Sequence, residues 1–169
     1  SDYSRLIGFE PQMHASHAAR ERLRLYSGVE IYDYGLAEKN GVFAMGEYGV
    51  EYAGFLNLDP ARSRTQAKGE GNGELREIAS VFARLRIEHV DLMLLNMEGY
   101  EFLLVPHMLK AGMFTKGYIE RLVLQVHWGT TPGDDAIYNA MVADLQVTHK
   151  RVYDEIPSWG LWQYSGSYL

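Results

Sequence analysis

A chain of 169 residues is long enough for one domain with a sizeable core and too short for two comfortable ones. Its 47% hydrophobic and 12% aromatic content excludes a disordered or fibrous chain, and no apolar run approaches the roughly 20 residues of a membrane-spanning helix. A net charge of −6 disfavours nucleic acid as a general partner, and the absence of cysteine excludes disulfides, thiolate metal sites and a cysteine nucleophile.

Along the chain, Leu6-Ile7-Gly8-Phe9 has the short apolar form of a strand, stopped by Pro11. Ala15, Ala19, Leu23 and Tyr26 then recur at helical spacing, up to Ser27-Gly28. Residues 29–36 alternate as a second strand, Lys39-Asn40-Gly41 is a turn, and residues 42–45 and 50–58 form short strands of a hairpin. Residues 59–73 are a polar, Gly-rich loop, after which Leu75, Ile78, Phe82 and Leu85 mark one face of a helix. The nearly continuous apolar run at 90–95 predicts a central strand covered by helices on both faces. A helix over 100–109, bent or closed at Pro106, is followed by a buried strand over 122–126. Asp134 caps a long helix with the stripe Ile137, Met141, Leu145, Thr148, Val152 and Ile156, and a strand over 161–165 closes the chain. This alternation predicts one α/β domain with a mainly parallel sheet and helices on both faces.

Ligands of such sheets bind beyond the carboxyl ends of the strands, so polar residues there carry the functional expectation. Glu10, after the first strand, could accept hydrogen bonds from a ribose diol or cap the next helix; residue type alone leaves both open. Glu98, followed by Gly99, ends the apolar run at 90–95 and is either a site carboxylate or a dipole cap, with Glu101 near the same helix end. His127, one of six histidines, ends a strand before Trp128-Gly129 and is either a general base or a hydrogen-bonded structural residue. No pair of the remaining histidines has convincing metal-ligand spacing. The string Gly69-Glu70-Gly71-Asn72-Gly73 follows a polar segment rather than a strand, so it reads as a flexible loop and not a phosphate cradle.

These strand ends carry a resemblance to the FkbM family of class I S-adenosylmethionine-dependent methyltransferases. Residues 8–11 read GFEP, matching the family's strand that ends in Phe-Glu-Pro. Tyr34-Gly35-Leu36-Ala37-Glu38-Lys39-Asn40-Gly41 resembles its turn and Gly hairpin, and residues 90–109, VDLMLLNMEGYEFLLVPHML, resemble its VDLLKIDVEGAE segment and the helix after it. Gln125-Val126-His127 stands where the family has an acidic residue, a spacer and His. The resemblance implies a Rossmann-like methyltransferase that moves a methyl from S-adenosylmethionine to a hydroxyl of a small molecule or sugar. Glu10 would bind the ribose, Leu36 and Ala37 would lie along the adenine, and Asn96, Met97 and Glu98 would border the reacting methyl. His127 would be the base, and Tyr100 or Trp128 could face the sulfonium.

Three positions depart from that pattern, each losing a charge: Leu94 and Asn96 replace a Lys and an Asp, and Gln125 replaces the acidic residue. The family's first strand and Gly-rich loop would precede Ser1, which implies a domain incomplete at its N-terminus with a gap in the middle of its sheet. The lost charges favour a second reading, a non-catalytic relative used for binding or scaffolding; a third is another nucleotide-binding α/β enzyme. The Cys-free composition and a start without the basic-then-apolar layout of a secretory leader lead to the expectation of a cytoplasmic protein.

Overall fold

A computed structural model describes residues 5–48, 52–55, 72–129, 133–155 and 159–166. The chain divides into two compact units, one ending at Glu77 and the other beginning at Ile78.

In the first unit, β1 (Leu6–Phe9) and β2 (Val29–Tyr32) pair in parallel, joined by α1 (Met13–Leu23). β3 (Gly35–Ala37), β4 (Gly41–Tyr48), β5 (Tyr52–Phe55) and β6 (Asn72–Glu77) make a second sheet in the order β3-β6-β4-β5. The hairpin expected from the short strands at 42–45 and 50–58 is present as β4 and β5, although residues 49–51 and 56–58 lie outside the described residues. Leu75 belongs to β6 and not to the following helix, so the end of the Gly-rich string enters a strand; residues 69–71 lie outside the described residues. Strand pairing with Gly35 fixes Leu75 there, where it is buried beside Tyr34, Leu36 and Ala37. Gly35 is required by this approach: a Cβ at that position would lie 2.6 Å from the Leu75 side chain. Phe9 stacks on Tyr32, Tyr34 is tilted against both, with centroids 5.4–5.6 Å apart, and the Arg76 guanidinium lies 4.0 Å from the Tyr34 ring centroid. Arg5 and the Tyr32 hydroxyl both donate to Glu30, which lowers its carboxyl pKa to about 2.

The second unit begins with α2 (Ile78–Leu85), whose buried face is Ile78, Val81 and Phe82. β7 (Met93–Leu95), α3 (Glu101–Lys110), β8 (Arg121–Gln125), α4 (Asp134–Gln146), β9 (His149–Glu155) and β10 (Trp159–Tyr164) follow. The sheet order is β7-β8-β10-β9, with β7 parallel to β8 and β10 antiparallel to both neighbours. Leu104, Val105 and Met108 of α3, Met141 and Leu145 of α4, and Leu122, Leu124 and Trp162 of the sheet are fully or nearly fully buried.

Three expectations are corrected here. The sheets are mixed: among the described residues, three ladders are parallel and four antiparallel. The run at 90–95 is not a strand covered on both faces, because Leu92 and Leu94 are 54% and 59% exposed while Met93 and Leu95 are buried. Among the described residues β7 pairs only with β8, so it is an edge, and the pleat turns alternate side chains away from the helices. Finally, the helix after Asp134 stops at Gln146, and Val152 lies in β9. His149 and the residues after it are held by antiparallel pairing with β10, which overrides the helical spacing of the stripe.

Candidate active site

The second unit assembles its most chemically active cluster beyond the carboxyl ends of β7 and β8. After Leu95, the chain turns through Asn96-Met97-Glu98-Gly99, closed by the Tyr100 amide donating to the Met97 carbonyl at 3.0 Å. Glu98 adopts φ +51° and Gly99 φ +100°. The left-handed region costs a non-glycine residue about 1–2 kcal/mol. A carboxylate held there is a strained feature of the kind found at functional sites. Asn96 is exposed and Met97 half-buried beside it.

The turn delivers Glu101 to the first position of α3, where its carboxylate meets the positive end of the helix. Glu101 is fully buried, and burial of a carboxylate is tolerated only with partners. It has them: Oε2 accepts the Gly99 amide at 2.9 Å, and Oε1 accepts the His127 amide at 2.6 Å. The same Oε1 lies 2.9 Å from His127 Nδ1. Nδ1–H donation to this carboxylate directs the basic nitrogen of the neutral ring to Nε2, which stands 3.5 Å from Glu98 Oε1. The hydrogen bond to Glu101 raises the His127 pKa above its ordinary value, with the charges of Glu101 and Glu98 adding to it and desolvation opposing.

Aromatic residues flank the cluster. Trp128 is partly exposed, tilted against Phe102 at 6.0 Å and edge-on to Tyr138 at 4.9 Å. Tyr100, by contrast, is buried and has no ring face available to a ligand.

The predicted residues thus fall into two groups. Glu98 and His127 come together, with Asn96 and Met97 in the connecting turn. Glu10, Leu36 and Ala37 belong to the first unit. Glu10 Oε1 accepts the amide of Gln12, the residue that precedes α1, at 2.8 Å, a local turn bond; α1 has no side-chain cap of its own. Leu36 and Ala37 are buried strand residues. Sequence reasoning missed the role of Glu101. Its only signal was its place three residues after Glu98 in a helix's first turn, and nothing local announced that the end of β8 returns to it.

The chain matches no family model and no curated protein. Among solved structures it is similar to methyltransferase FkbM from Methylobacillus flagellatus KT, with a TM-score of 0.52 over 95% of this chain and 14% sequence identity. The fold is that of an FkbM-type methyltransferase. The chain spans 36% of the length of that protein. Glu98 and His127 follow the carboxyl ends of β7 and β8, and Glu101 opens α3 beside them.

Proposed function

We propose that this chain is a methyltransferase domain that uses S-adenosylmethionine to methylate a hydroxyl oxygen of a small molecule or sugar, with His127 as the base. The observation that carries the reading is the Glu101–His127 pair, a buried carboxylate fixing an imidazole whose other nitrogen points to Glu98 at the strand ends. S-adenosylmethionine supplies an electrophilic methyl. The chain's part would be to hold the acceptor hydroxyl in line and to take its proton on His127 Nε2 as the oxygen–carbon bond forms and the carbon–sulfur bond breaks, the thioether leaving. Glu101 then stabilises the imidazolium, and Glu98 sits where it can receive a hydrogen bond from the acceptor or from protonated Nε2. Trp128, which is partly exposed, is the aromatic residue of the cluster that could contact the sulfonium.

The residues expected to hold the cofactor fit it incompletely. One Glu10 oxygen is already engaged by Gln12, and Leu36 and Ala37 are buried, leaving little surface for an adenine contact. The chain is therefore proposed to bind S-adenosylmethionine weakly by itself, and to act in the cytoplasm. The same engagement of Glu10, with Leu94 and Asn96 in place of charged residues, supports the second reading of a non-catalytic relative.

Calorimetric titration with S-adenosylmethionine and assay of methyl transfer to hydroxylated acceptors, in the whole protein that its gene encodes, separate the two. His127→Ala should lower turnover by about 10²–10⁴-fold with cofactor affinity retained. Unchanged turnover in a well-folded variant would remove His127 from the chemistry. Absence of cofactor binding by the complete protein would favour the scaffolding role.

A further inference from the structure

At the opposite, amino-terminal ends of β7 and β8 lies a second group of ligating side chains: His89, Asp91 and Glu120. One donor atom from each falls within 4.8 Å of the other two. His89 Nε2 stands 3.4 Å from Asp91 Oδ1 and 3.8 Å from Glu120 Oε2. These separations are long for hydrogen bonds but close to the spacing of metal ligands. Bonds of about 2.0–2.1 Å in a tetrahedral shell put neighbouring donor atoms roughly 3.3–3.4 Å apart.

The backbone beneath the cluster is fixed. The Val90 amide donates to the Tyr118 carbonyl at 2.9 Å and the Glu120 amide to the Val90 carbonyl at 2.8 Å, forming a parallel bridge between the two segments. The Glu120 carbonyl accepts the Tyr164 amide at 2.8 Å, and Arg121 Nε donates to the Asp91 carbonyl at 3.1 Å. Tyr118 ties the preceding turn by donating its hydroxyl to the Ile87 carbonyl at 2.5 Å. Both carboxylates and the imidazole therefore project from backbone that need not move, and only short rotations of exposed side chains would close them on an ion.

We propose that His89, Asp91 and Glu120 bind a first-row divalent cation of the zinc or manganese type, with solvent completing the shell. One imidazole with two carboxylates is a borderline donor set, which suits these ions better than magnesium or calcium. Two carboxylates and a neutral imidazole balance a doubly charged ion. The alternative role for the same residues is a pair of surface ion pairs of a protonated His89, worth little in water. Seven residues of extended chain separate Glu120 from His127, up to about 23 Å at ~3.3 Å each, so the cation would clamp the sheet rather than enter the chemistry.

The test is calorimetric titration of the full chain with zinc sulfate at pH 7.5, repeated with manganese and calcium chlorides. Saturable binding of one zinc per chain is expected, with calcium much weaker. His89→Ala and Glu120→Gln should each weaken zinc binding by at least about tenfold, while circular dichroism shows an unchanged fold. Zinc should also raise the unfolding midpoint of the parent chain and not that of His89→Ala. His127→Gln should bind zinc as the parent does. Absence of saturable binding, or zinc affinity that survives His89→Ala, would overturn the assignment, as would loss confined to His127→Gln.

Discussion

His127 and His149 show how one residue type takes two opposite roles from its surroundings. His149 is fully buried, lies 2.8 Å through Nε2 from the Ile119 carbonyl, and meets Phe114 and Tyr164 edge-on. Burial lowers its pKa, partly offset by the bond to Ile119. His127 is raised instead, because a carboxylate and not a carbonyl faces its ring. The two make opposite contributions to stability against pH. For His127 the folded pKa exceeds the ordinary 6.5, so its stabilisation is complete below 6.5 and is lost as pH rises through the folded value. For His149 the folded value is the lower one, so its contribution is complete above 6.5 and declines as pH falls below it. Urea unfolding across a pH series should show His127→Gln flattening the alkaline-side decline while leaving the acid-side decline intact. An unchanged alkaline slope would mean that the ion pair with Glu101 does not form in solution.

At the scale of elements, two contacts set the geometry of strand and helix ends. Glu10 bonds the Gln12 amide in the turn before α1, so Glu10→Ala should lower stability by about 0.5–1.5 kcal/mol through loss of that hydrogen bond, and Glu10→Gln by less. Thermal melts of both variants check this. A stability unchanged by either variant would leave ribose binding as the remaining role for Glu10. In β10, Gly160 makes room for the ring of Trp162, which is fully buried where the pairing with β9 shifts register. A Cβ on Gly160 would come within 2.5 Å of that ring. Gly160→Ala should therefore cost about 1–3 kcal/mol in chemical denaturation, since the overpacking can be relieved only by moving a buried indole. A neutral result would show that β10 is looser than its pairing implies.

For the molecule as a whole, the exposed edge of β7 is the most consequential departure from expectation. Leu94 faces solvent and Leu95 the core of the second unit. In this chain, Leu94→Gln should change stability by no more than about 0.5 kcal/mol, whereas Leu95→Ala should cost about 2–5 kcal/mol. Equal costs would place a covering element over Leu94. No described helix is long and apolar enough to cross a membrane.

By itself, the sequence determined the local elements and the places where chemistry could occur. Apolar runs and turn residues located β1, α1, the β4–β5 hairpin, α3, β8 and the start of α4, because hydrophobic period and Gly or Pro punctuation act over a few residues. GFEP, NMEG and QVH marked the strand ends in the same way. Only tertiary structure decided which neighbours those segments acquired. An apolar run cannot say whether both faces will be covered, so β7 as an edge strand was not legible. Nor can helical spacing foresee that pairing with β10 will claim Val152. Glu101 became the partner of His127 because two strands lie side by side in parallel, a contact across 26 residues of chain that no local pattern encodes. Glu10 could be a cap or a ribose ligand until the position of the Gln12 amide fixed one of its oxygens.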